Sequence, residues 1–124
     1  MAKLGSVIIQ IRHQIDAIQG WIANRTFDDF AGDMMLRNAI ERSLEIISEA
    51  SRRIPDTEKA KHPDIPWRDI ADIGNYLRHQ YHDLNEKILW DVTQDGYLDQ
   101  LRAAIDAMNP DVQALRRQPP AATE

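Results

Sequence analysis

Positions 74 to 83 of the chain read GNYLRHQYHD. Two histidines, two tyrosines and an arginine fall in these ten positions, although the chain has only 4 His and 3 Tyr in all. Imidazole exchanges a proton near neutral pH, so a histidine here can move protons at a ribose 2′-hydroxyl or at a leaving oxygen. A neighbouring guanidinium can hold a phosphate and stabilise the charge that develops on it. A tyrosine phenol can hydrogen-bond or accept a transferred group. On a helix, Asn75 and His79 share one face, and Gly74 and Arg78 share the adjacent one. Tyr81 lies two residues past His79, about 200° round an ideal helix, so the two meet only where the helix ends or bends. His82 and Asp83 add polar groups at that end. The same residues also suit the solvated end of a structural helix, and spacing alone leaves both readings open.

Other chemistries lack their residues. There is no glycine-rich phosphate loop, no HExxH pair and no strand-to-helix nucleophile turn. Cysteine is absent, which removes disulfides and thiolate metal sites. Of His62, His79 and His82, no two have the four-residue spacing of a helical metal pair, so neither metal nor cofactor is expected. Trp21, Trp67 and Trp90 are scattered and read as core or interface residues. A net charge of −5 argues against a broad basic field for coating nucleic acid. Arg52, Arg53, Lys59, Lys61, Arg68 and Arg78 are interleaved with Asp56, Glu58, Asp64, Asp69 and Asp72, the pattern of a solvated mixed-charge surface. The N-terminus carries charge too early for a signal peptide, and no apolar run reaches membrane-spanning length, so a cytoplasmic protein is expected.

Positioning the cluster falls to helices. Ile8, Ile11, Ile15, Ile18 and Ile22 recur at three- and four-residue steps, predicting a first helix over about 3–24. Thr26 or Asp28 can start a short turn, and Asp33 can cap the helix that follows. Leu36, Ile40, Leu44 and Ile47 form the core stripe of that second helix, with Ala39 and Ser43 as small neighbours. Pro55 ends it by forcing Ile54 out of helical geometry. The connector from Pro55 to Pro66 reads as a polar loop with one helical turn. A third helix starts near Pro66 or Trp67 and carries Ile70, Ile73 and Leu77. Two more are expected, over 84–92 and 96–108. No alternating strand pattern appears, so the expectation is an all-α, up-and-down bundle of four to five helices. One domain over 1–109 and a flexible tail over 110–124 complete it.

Three stretches then resemble, in order, the HepT-like branch of the HEPN superfamily. They are RNAIERSLEIISEASRRI, PWRDIADIGNYLRHQY and ILWDVTQDGYLDQL. The third-helix motif RxxxxHxY is the most specific; the pattern AxERxLEIIGEA and the pair Trp90-Asp91 are weaker. The resemblance implies an α-helical homodimer and metal-independent RNA cleavage carried by the motif Arg and His near the dimer interface. It also implies a toxin encoded beside a minimal nucleotidyltransferase antitoxin, which silences it by transferring AMP to the motif tyrosine. Carried over, His79 is the general acid or base, Tyr81 the AMPylation site, and Asn75 the polar residue after the motif arginine.

The motif is incomplete in this chain. Gly74 stands where the family has arginine, so the guanidinium that would bind the scissile phosphate is missing. A mid-helix glycine also costs about 1 kcal/mol relative to alanine. Three explanations compete: an inactive member that still dimerises and binds the antitoxin, a non-toxic variant of an active toxin, or Arg78 reaching the phosphate from one turn away. The resemblance predicts that Gly74→Arg raises RNA cleavage and that adding His79→Ala removes the gain.

Overall fold

A computed structural model of the chain describes residues 2–79 and 86–108. The elements in chain order are α1 (Ala2–Ile22), α2 (Phe27–Ala31), α3 (Met34–Ser51), α4 (Asp56–Lys59), α5 (Trp67–His79), α6 (Glu86–Gln94) and α7 (Tyr97–Met108). No strand occurs among the described residues, and the fold is all-α, as expected. Five of these helices match the expected bundle, while α2 and α4 are one-turn pieces inside the connections. The expected tail over 110–124 lies outside the described residues.

Local chemistry explains the boundaries. Thr26 closes a capping box on α2: its hydroxyl accepts the Asp29 N–H at 3.1 Å, and the Asp29 carboxylate accepts the Thr26 N–H at 2.9 Å. Asp33 caps α3 by accepting the Leu36 N–H at 3.0 Å. That helix stops at Ser51, and Arg52 to Ile54 form the turn that delivers the chain to Pro55. The start of α5 is tied to the connector by Trp67. Its indole N–H is shared between the carbonyls of Lys59 at 3.2 Å and His62 at 3.1 Å.

The core forms where the apolar stripes meet. Ile8, Ile11, Ile15 and Ile18 of α1 are fully buried, as is Ile40 of α3. The central helix α3 packs against both α1 and α5, and α7 closes on α1. Phe30 of α2 lies 5.3 Å from the Trp90 ring of α6, which places Trp90 in the core. Between α1 and α7, Arg12 donates two hydrogen bonds to the Asp106 carboxylate, at 2.8 and 3.0 Å. Among the described residues no helix is long and apolar enough to cross a membrane.

Candidate functional site on α5

The residues of α5 divide by face. Ile70, Gly74 and Leu77 recur at four- and three-residue steps and are buried, with Ile73 half-buried beside them. Arg68, Asp72, Asn75, Tyr76 and His79 recur at the same steps and are exposed. Asn75 and His79 thus share the solvent face, as their spacing predicts, and α5 ends at His79. Tyr76 joins them as one of the exposed large apolar side chains, a neighbour that the motif did not indicate.

Gly74 stands apart from this face. Its place is in the buried stripe between Ile70 and Leu77, and five residues at 100° each put it about 140° from His79 on an ideal helix. Arg78 lies in α5, four residues on from Gly74, but its side chain is outside the described residues. Tyr81, His82 and Asp83 lie outside them altogether.

A serine occupies the space beside Gly74. Ser48, buried in α3, donates its hydroxyl to the carbonyl of Ala71 at 2.8 Å and accepts the N–H of Gly74 at 3.0 Å. Arg52, four residues further on, donates a guanidinium N–H to the same Ala71 carbonyl at 2.7 Å. Neither contact was indicated by the motif. The available signal was a polar Ser48 directly after core Ile47, where the stripe of α3 turns toward its neighbour. Gly74 is thus buried with its N–H held by Ser48, whereas Asn75 and His79 face solvent.

Among the described residues, two titratable groups on the flanking helices depart from ordinary values. The Glu41 carboxyl of α3 is raised, first by burial and then by the nearby Glu45 charge, with Arg37 pulling it back. Burial also raises the Tyr97 phenol, with Asp95 and Asp69 adding to the effect. Tyr97 lines a void with Leu44, Ile47, Ile70 and Leu98 whose volume is about 10 Å³. That is the size of one water, so this void holds no substrate. Asn75 and His79 open instead onto the outer face of α5. Among the described residues no three His, Asp or Glu side chains are grouped to hold a metal ion.

Comparison with known proteins places these features in context. The HepT-like family, described as ribonuclease HepT-like, matches residues 11–108, which include all of α5. A protein of Thermococcus cleftensis named "Probable ribonuclease HepT" is 36% identical over 85 residues, covering 68% of this chain and 77% of that one. A "Putative RNase" of Caldanaerobacter subterraneus subsp. tengcongensis is 41% identical over 66 residues, 53% of this chain and 59% of the relative. Another of the same name from Methanocaldococcus jannaschii is 39% identical over 67 residues, 54% and 55% of the two chains. The match thus spans a little over half the length of these last two relatives. No solved structure matches the chain.

Proposed function

The chain belongs to the HepT-like ribonuclease family, and on that premise we propose that it is the toxin component of a HEPN and minimal nucleotidyltransferase toxin–antitoxin pair. Its reaction is metal-independent endonucleolytic cleavage of RNA by a cytoplasmic homodimer, weakened because position 74 carries no guanidinium. The observation that carries the reading is the exposure of Asn75 and His79 on one face of α5, inside the stretch matched by the family.

The chemistry follows from those groups. The His79 imidazole takes the proton of a ribose 2′-hydroxyl, and the 2′-oxygen attacks the adjacent phosphorus. The bond from phosphorus to the 5′-oxygen breaks, and the leaving oxygen takes a proton from the imidazolium of the second copy of the chain in the dimer. One product ends in a 2′,3′-cyclic phosphate and the other in a free 5′-hydroxyl. Asn75 hydrogen-bonds the ribose–phosphate backbone. The guanidinium missing at Gly74 is what weakens the reaction, and Arg78, the guanidinium nearest in sequence to His79, is the alternative phosphate-binding group.

The test is digestion of a mixed RNA pool in EDTA. Products ending in 2′,3′-cyclic phosphate are expected, and a 2′-deoxy substrate stays intact. Cleavage that appears only with added divalent metal contradicts the mechanism.

The burial of Gly74 favours a second reading, in which the chain is a non-catalytic helical dimer recognised by the nucleotidyltransferase and AMPylated on Tyr81. Incubation with ATP and the partner enzyme then gives a mass increase of AMP groups that Tyr81→Phe abolishes. No adduct and no complex leaves this reading without a mechanism.

A further inference from the structure

Ser48 and Gly74 make an unusual contact. In an α-helix each N–H is used by the carbonyl four residues back, so a hydroxyl from another helix rarely reaches it. Here the Ser48 hydroxyl does reach it, at 3.0 Å from the Gly74 nitrogen, while donating to the Ala71 carbonyl at 2.8 Å. One buried side chain thus bridges a donor and an acceptor within a single turn of α5, and Arg52 holds the same carbonyl from beside it. The approach depends on glycine. In a helix the Cα–Cβ bond nearly eclipses the N–H bond of the same residue, so a hydroxyl that reaches this hydrogen from outside the helix, beside the carbonyl four residues back, approaches on the side where a Cβ would stand. The turn so held, Ala71 to Gly74, immediately precedes Asn75 and lies one turn before His79 on the continuous helix.

We infer that Ser48 is a positioning residue of the α5 site, that its hydroxyl fixes the turn from which Asn75 and His79 project, and that Ser48 and Gly74 form a coupled pair in which the serine requires the glycine. A guanidinium is excluded at 74 as long as the hydroxyl occupies that seam. The site role rests on the ribonuclease reading; the coupling of the two residues does not.

The experiment is a thermal-stability cycle on the purified full chain with Gly74→Ala, Ser48→Gly and both together. Alanine normally stabilises a helix interior relative to glycine. The pair predicts the opposite sign here: Gly74→Ala lowers Tm by about 4 °C or more in the native background and raises it once Ser48→Gly is present. A higher Tm for Gly74→Ala in both backgrounds overturns the coupling. Ser48→Ala keeps the space open and removes only the hydroxyl, and imidazole NMR reads its effect on the site. The His79 resonances are expected to shift while those of His13 and His62 stay in place. Unmoved His79 signals, or equal movement of all three, overturn the positioning role. In RNA digestion, Gly74→Arg combined with Ser48→Gly is expected to cleave at least tenfold faster than Gly74→Arg alone. Equal rates for the two overturn the exclusion, whereas the sign reversal without cleavage by any variant upholds the pair and removes the ribonuclease reading.

Discussion

Glu41 shows how one residue on the helix behind α5 tunes the fold. Its carboxyl is raised in the folded chain chiefly by burial, with Glu45 adding to the effect. A group with a raised folded value binds its proton more tightly when folded. Its favourable contribution is therefore complete below the ordinary carboxylate value, about 4.3, and is lost as pH rises through the higher folded one. At neutral pH the buried charge is a net cost. Glu41→Gln is accordingly expected to raise Tm at pH 7 and to leave it unchanged near pH 4; a gain of equal size at both would exclude this origin. His79 is the contrasting case. It is exposed at the end of α5, so His79→Ala should change stability by no more than about 0.5 kcal/mol. Denaturant unfolding checks this, and it makes any loss of cleavage in that variant a chemical effect.

At the scale of the element, the site depends on where α5 begins and what it leans on. Trp67 anchors the first turn by sharing its indole N–H between two connector carbonyls. Trp67→Phe retains a ring but leaves those carbonyls without that donor, and a loss of about 1 kcal/mol in stability is expected from denaturant titration. The Asp33 cap on α3 is worth about as much, so Asp33→Ala should cost a similar amount. Much of this was legible in the sequence. The isoleucine steps of α1, the stripe Leu36, Ile40, Leu44 and Ile47, and the caps at Thr26 and Asp33 all depend on local chemistry, and local chemistry is written along the chain. The solvent face shared by Asn75 and His79 was legible for the same reason. The partner of Gly74 was not. Ser48 lies 26 residues away on another helix; its place directly after core Ile47 marks it as inward-facing, but nothing local says that its hydroxyl meets a backbone N–H of α5. The one-turn helices α2 and α4 fall where a short turn after Thr26 and one helical turn in the connector were expected, but such short pieces carry too few residues to establish a period.

Across the whole molecule, the helices that flank the core are held by charge as well as by apolar packing. Arg12 of α1 and Asp106 of α7 are 14% and 7% exposed and form a two-bonded ion pair. Asp16 extends it by pairing with both Arg12 and Arg102, and Gln19 reaches Asp99 at 2.8 Å. Asp106→Ala removes both of its hydrogen bonds to Arg12 but leaves Arg12 the Asp16 carboxylate, so it should cost about 1.5 to 3 kcal/mol, whereas Arg12→Met with Asp106→Leu should lose less. A double-mutant cycle measures the difference. This clamp joins α1 to α7, while the proposed chemistry is confined to the exposed face of α5. The most direct measurement of the central claim is therefore the rate of RNA cleavage in EDTA by the purified chain and by its His79→Ala variant, both confirmed as folded. The account predicts slow cleavage by the native chain and a rate at least about a hundredfold lower without the imidazole. Equal rates for the two proteins would contradict it.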